Sequence, residues 1–254
     1  MNAPVLELDD VSLSFGGLKA IAGLNLRVAP GEVLAVIGPN GAGKTTMLNL
    51  VTRVFTPSGG RMQFKGRDLT QVPRHRIAHL GIARTYQNIE LFENATVLDN
   101  LLLGRTRFGG GNWLSQVLRT PALVRREEAH RAAVEAVIDL LDLSPWRGAL
   151  VAGLPYGVRK VVELGRALAT EPEILFLDEP ASGLNPEETR DLAFWIEDIR
   201  TELGITVVMI EHDMSLVNAV ADRVICMAQG RVLAEGTVAE VQSDPAVIAA
   251  YLGT

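Results

Sequence analysis

The sequence predicts a parallel α/β core with an antiparallel strand layer near its N-terminus and an inserted helical subdomain. Three observations carry that expectation. First, a glycine-rich stretch at 38–46 separates a β-branched apolar run at 33–37 from a helix-like segment at 47–51. Second, the runs 174–177 and 205–210 are apolar at nearly every position, as in central strands covered on both faces. Third, residues 186–203 between those runs read as a helix with Pro186 in its first turn, so strand and helix alternate.

The remaining elements follow in chain order. Residues 5–8 and 11–15 alternate apolar and polar side chains, as half-buried antiparallel strands do, and 24–28 repeats the pattern. Pro30-Gly31 makes the turn into the buried run, and 60–66 reads as a hairpin-like segment. From 96 to 143 the pattern is helical, with breaks at 109–111 and at Thr120-Pro121. Residues 126–143 form an amphipathic helix with Ala133, Val137, Leu140 and Leu141 on one face. Near the end, Thr237 and Glu240 have capping-box spacing, and Ser243-Asp244-Pro245 starts a last short helix. A single domain is expected, with 1–87 and 161–254 forming the core and 88–160 the helical insertion.

Composition narrows the classes. A net charge of −6 gives no global attraction to nucleic acid, so no nucleic-acid partner is expected. The single cysteine, Cys226, excludes an internal disulfide and suits a reducing cytosol. No apolar run approaches the ~18 residues of a membrane span, and the first residues lack a basic segment leading into an apolar one. A cytoplasmic chain is the expectation. His75 and His79 are four apart on an expected helix, but arginines flank them and no carboxylate adjoins, so no metal is expected there.

The glycine-rich stretch reads Gly38-Pro39-Asn40-Gly41-Ala42-Gly43-Lys44-Thr45-Thr46, a complete Gly-x-x-x-x-Gly-Lys-Thr phosphate-binding loop. Its backbone N–H groups and the following helix N-terminus suit phosphate oxygens, so a nucleoside triphosphate is the expected ligand. Lys44 would reach the β- and γ-phosphates and the Thr45 hydroxyl would ligate Mg²⁺. Asp178 and Glu179 follow an all-apolar strand, where α/β sheets deliver ligand-binding groups. Asp178 is suited to Mg²⁺, and Glu179 to orienting or deprotonating the attacking water. His212, just past another buried strand, can hydrogen-bond the γ-phosphate, and the Gln87 amide can touch Mg²⁺ or its water.

The order of phosphate loop, Gln87, a Leu-x-x-Gly segment, Leu-Asp-Glu-Pro and His212 resembles the ATP-binding subunits of ABC transporters, from about Val5 to Leu252. The resemblance implies a P-loop NTPase core of the ABC ATPase type, with ATP and Mg²⁺ as cofactors. It implies that Phe15 stacks on adenine and that Ser182-Gly183-Leu184-Asn185 crosses to a partner subunit. Arg84-Thr85-Tyr86-Gln87, Leu91-Phe92, residues 181–186, residues 210–214, the insertion at 105–126 and the ending Ala250-Tyr251-Leu252-Gly253 look like the branched-chain amino-acid importer branch. That branch implies two membrane permeases, a solute-binding protein, and a peripheral position on the inner membrane. Urea or amide importers and lipopolysaccharide-type exporters share the cassette and stay open as alternatives. A soluble ABC ATPase is disfavoured, since the chain has neither a long coiled-coil insertion nor a second cassette.

One motif departs from the family. Where relatives carry Leu-Ser-Gly-Gly-Gln or a close variant, this chain has Leu154-Pro155-Tyr156-Gly157-Val158. In the family this loop grips the γ-phosphate bound on the other subunit. Pro155 offers neither a hydroxyl nor an N–H, and Val158 no polar side chain, while Gly157 and the helix start remain. Proline also suits the first turn of a helix. A complete Lys44, Asp178, Glu179 and His212 set beside an altered signature leads us to expect a second, different ATPase subunit as partner.

Overall fold

The structure, a computed structural model, describes residues 3–86, 89–108 and 121–252. The chain divides into two units, one formed by residues 1–87 and 173–254 and the other by 88–172.

The first unit is built on two sheets. The central one has strand order β10-β9-β3-β8-β7-β6, with β3 (Val33–Ile37), β6 (Ile82–Arg84), β7 (Ile174–Asp178), β8 (Thr206–Ile210), β9 (Arg223–Ala228) and β10 (Arg231–Gly236). β6 to β9 and β3 run parallel, and β10 is an antiparallel edge. β3, β7 and β8 are buried at every position, which explains their unbroken apolar sequences. Cys226 lies fully buried in β9, and burial pushes its thiol up from the ordinary value.

The second sheet is antiparallel, β2-β1-β4-β5, with β1 (Leu6–Phe15), β2 (Leu18–Val28), β4 (Gly59–Phe64) and β5 (Arg67–Asp68). The two alternating segments read at 5–8 and 11–15 are one strand. Its register slips between Leu8 and Val11, where Asp10 takes φ +48°, and this resets the alternation. The inner face contributes Leu6, Leu8, Val11, Leu24, Leu26 and Met62 to the core. The Ala22 N–H donates to Gly230 O at 2.9 Å, tying this sheet to the turn between β9 and β10.

Helices in this unit begin where the sequence marks them. α1 (Lys44–Val51) opens directly from the phosphate loop. The second unit contributes α2 (Val97–Gly104), α3 (Pro121–Leu140) and α4 (Tyr156–Leu168). The first unit resumes with α5 (Pro186–Thr201), α6 (Met214–Val220), α7 (Val238–Ser243) and α8 (Pro245–Leu252). Pro186 sits in the first turn of α5, and Thr237 with Glu240 closes the expected capping box on α7. His75 and His79 fall in two separate 3-10 turns, 74–76 and 78–80, not on one helix, and Gly81 with φ +90° ends the second.

In the second unit α2 is started by a capping box, Thr96 with Asp99. The buried residues of α3 are Val134 and Ile138, continued by Leu141; Ala133, Val137 and Leu140 are only half-buried. The apolar face is therefore turned by one residue from the expected one, toward the larger β-branched side chains. The first unit resumes at Glu173, later than residue 161, because α4 belongs with α2. Gly165 makes this contact possible, since a Cβ there would meet Leu141 and Leu101 at 3.2 and 3.3 Å. Among the described residues no helix is long and apolar enough to cross a membrane.

Candidate nucleotide-binding site

The carboxyl ends of the parallel strands and the phosphate loop meet at one edge of the first unit. A cleft of about 490 Å³ there is lined by Asn40 to Thr46, with Leu18, Lys19 and Ala20, Glu179, Gln229 and Gly230. All loop glycines have positive φ. At two of them the surroundings also forbid a side chain. A Cβ on Gly43 would lie 2.8 Å from Ala20 O, and one on Gly38 only 2.1 Å from Met227 O. Gly230 in the β9–β10 turn is equally confined against Ala20 and Ile21, and its N–H donates to Ala42 O at 2.9 Å. That turn buttresses the loop, a role no local sequence pattern signals.

Lys44 is buried, and its ammonium donates to Gly38 O at 2.6 Å and Pro39 O at 3.0 Å. Burial lowers its pKa from the ordinary lysine value, against the opposing pull of Glu179, Cys226 and Asp178. An ammonium has three donors, so the loop carbonyls leave one for a phosphate oxygen.

Asp178 ends β7 and is buried. Its Oδ2 accepts from Arg84 Nη2 at 2.7 Å, and Arg84 Nη1 donates to Asn49 Oδ1 on α1 at 2.7 Å. Arg84 thus links the end of β6, the Asp178 carboxylate and the helix behind the phosphate loop. It also stands over the Tyr86 ring, 5.0 Å from the centroid. The sequence marked Arg84 only as part of the family-like Arg84-Thr85-Tyr86-Gln87 run and gave it no role, since its partners lie 35 and 94 residues away.

Glu179 follows in a left-handed conformation, φ +51°, rare for a side chain of this size. Glu179 lines the cleft, and His212 Nε2, outside that lining, stands 3.2 Å from its Oε1. Behind both lies Glu211, buried, whose Oε1 accepts from the Ala181 N–H at 2.7 Å. Its Oε2 accepts from the His212 and Asp213 N–H groups at 2.8 and 3.0 Å. One carboxylate therefore anchors the segments that carry Glu179 and His212. The signal for it was a charged residue directly after an all-apolar strand, next to the histidine.

The remaining predicted residues fall as follows. Phe15 packs edge-on against Phe55, with centroids 5.1 Å apart, and is not among the residues lining the cleft. Gln87 lies outside the described residues. Asn185 caps α5, accepting from the Glu187 and Glu188 N–H groups at 2.9 and 3.0 Å, and Gly183 takes φ +79° in the turn before it. In the second unit, Leu154 and Gly157 are buried while Pro155 and Tyr156 are exposed. Pro155 is the N-cap of α4 rather than a first-turn residue, and its carbonyl accepts from the Arg159 N–H at 3.0 Å.

The donor set suits a triphosphate and a hard cation: amides and an ammonium for phosphate, a hydroxyl and a carboxylate for a divalent ion. A family model for ABC transporters matches residues 21–182, and one for the branched-chain amino acid ATP-binding cassette transporter matches 231–254. The chain is 40% identical over 253 residues to BraF of Pseudomonas aeruginosa, a high-affinity branched-chain amino acid transport ATP-binding protein, covering 100% of this chain and 99% of that one. Its identity to LivG of Escherichia coli, a protein of the same description, is 38% over 253 residues, with the same coverage. Among solved structures it is similar to a nucleotide-free ATP-binding cassette from an ABC transporter, with a TM-score of 0.86 and 31% identity over 99% of this chain and 100% of that one. It is also similar to the ADP conformation of the cassette MJ1267, with a TM-score of 0.86 and 32% identity over 100% of both. Joined to a complete phosphate loop and a Glu179–His212 pair at its mouth, these likenesses are of one kind, and the chain belongs to the ABC transporter family as an ATP-hydrolysing cassette.

Proposed function

We propose that this chain powers a membrane importer for branched-chain or other hydrophobic amino acids. The observation that carries the proposal is the full-length likeness to BraF and LivG, extended by the branched-chain family match over the last 24 residues, 231–254. The chain would lie on the cytoplasmic face of the membrane, held by two permease subunits and served indirectly by a solute-binding protein.

In this reading ATP lies in the cleft with its phosphates over the loop amides and Lys44, and Phe15 reaches the adenine by reorienting from Phe55. Thr45 and Asp178 fit Mg²⁺, being hard oxygen donors at the loop and at a strand end, and Gln87 would join them. When bound, Mg²⁺ supplies charge neutralisation at the β- and γ-phosphates. Glu179 takes the proton of the attacking water, and His212, hydrogen-bonded to Glu179, fixes that carboxylate and meets the γ-phosphate. Ser182 to Asn185 would meet a second cassette, whose signature loop completes the site.

The test is reconstitution with the two permeases in vesicles. Leucine-loaded binding protein should stimulate ATP hydrolysis and leucine uptake together. Stimulation by urea or an amide instead, or export of a lipid, would replace the amino-acid assignment.

A second reading concerns the partner. Pro155 caps α4 without a side-chain acceptor, and Val158 adds no polar group, which favours a heterodimer in which the partner's intact signature serves this chain's phosphate loop. The partner's own loop, facing Pro155 to Val158, would turn over slowly. Mass spectrometry of complexes from gently solubilised membranes should find two permeases and a different cassette; finding only copies of this chain would overturn it.

A further inference from the structure

The last helix of the chain reaches the phosphate loop. The Gly38 N–H donates to the hydroxyl of Tyr251, 213 residues away, at 2.8 Å. The same residue's carbonyl accepts from Lys44 Nζ at 2.6 Å. Gly38 is therefore held on both sides, by the C-terminus through its N–H and by the phosphate-binding lysine through its C=O. It is buried, and Met227 O packs so closely that a Cβ would lie 2.1 Å away. A buried N–H left without its acceptor is costly.

The hydroxyl, more than the ring, is the anchor. Tyr251 is 48% exposed, and within α8 only Val247 is buried. Besides this bond α8 rests on α7 and β10, and a segment with so little buried surface opens at low free-energy cost. It also falls inside the segment 231–254 that the branched-chain family model matches.

We infer that Tyr251 is a positioning residue for the phosphate loop: its hydroxyl fixes Gly38, and through the Gly38 carbonyl it sets where the Lys44 ammonium stands. Linkage makes this reciprocal. If the bond helps the loop hold nucleotide, bound nucleotide must steady α8 to the same extent. The inference rests on ATP occupying the loop, which titration of the wild-type chain tests separately.

The experiment uses the full-length chain and its Tyr251→Phe variant, which keeps the ring. AMP-PNP with Mg²⁺ is titrated against each, and hydrogen exchange over 245–252 is followed with and without it. In the wild type, nucleotide should slow exchange in this segment. In the variant that protection should disappear and Kd should rise about tenfold, the scale of one lost hydrogen bond. Leu252→Ala, an exposed neighbour, should change neither. An unchanged Kd in Tyr251→Phe, or an equal effect from Leu252→Ala, overturns the assignment. Should Tyr251→Phe fail to fold, the wild-type exchange decides: protection by nucleotide supports the coupling, and unchanged exchange over 245–252 overturns it.

Discussion

Arg84 and Asp178 form an ion pair at 2.7 Å in which both side chains are almost wholly out of water, 5% and 3% exposed. Two charges so buried are tolerated only as a pair, because an uncompensated carboxylate there lacks solvation. The relationship places a structural cation beside the carboxylate suited to Mg²⁺, and it joins the strand leading toward Gln87 to the helix behind the phosphate loop. Removing Arg84 with Arg84→Gln should destabilise the isolated subunit by about 3–5 kcal/mol, read from urea unfolding. A loss under 1 kcal/mol would mean that Asp178 finds another partner or takes up a proton.

His212→Ala removes the group 3.2 Å from the Glu179 carboxylate. ATP affinity should change little, while hydrolysis by the assembled complex should fall about 10²-fold or more, the range of a lost acid–base partner. Glu179→Gln should behave alike, holding ATP without turnover. Brisk steady-state hydrolysis by Glu179→Gln would remove that residue from the role of base.

Glu211→Ala leaves the N–H groups of Ala181, His212 and Asp213 without their acceptor. Hydrogen bonds to a charged group contribute ~1.5–3 kcal/mol each, so a loss of about 3 kcal/mol is expected after partial rehydration. Glu211→Gln keeps one acceptor oxygen and should lose less stability but still slow hydrolysis. Equal thermal stability of the two variants would argue against the anchoring role.

Pro155→Ser restores a hydroxyl and an N–H at the start of α4. In the assembled complex the ATPase rate should rise, by up to about tenfold for one regained bond to a charged group. An unchanged rate sinks the idea that this loop attenuates one of two sites.

Asp213 caps α6, accepting from the Ser215 N–H at 2.8 Å and from the Ser215 hydroxyl, and the hydroxyl bond first of all holds its carboxyl below the usual aspartate range. Because the folded-state pKa is the lower one, the stabilisation is fully present above the ordinary carboxylate pKa. It is lost as pH falls through the folded value. Melting temperatures of wild type and Asp213→Asn should therefore differ most near neutrality and converge in acid. Divergence on acidification would contradict the sign.

The parts of the site that sequence alone makes legible are those encoded locally. The phosphate loop is framed by β3 and α1 as its flanks predict, and Asp178 ends, with Glu179 directly after it, a strand whose apolar run is continuous. The cap at Thr237 is visible because a cap and its helix are neighbours in sequence, whereas Asn185, read as part of a loop reaching a partner, also caps α5. Arg84, Glu211, Gly230 and Tyr251 act on partners brought together by topology, and no periodicity announces them. The face of α3 shows a subtler limit. One residue of helix is about 100° of rotation, and a segment rich in alanine offers two neighbouring apolar stripes. Packing against α2 selects the one with Val134 and Ile138.

The buried thiol of Cys226 has a practical consequence. It is the chain's single cysteine, shielded inside the central sheet and shifted away from the reactive thiolate form. Maleimide probes should leave it alone. Cysteines introduced at exposed positions can then carry environment-sensitive or paired dyes in an otherwise unaltered background, giving direct optical access to this chain during turnover.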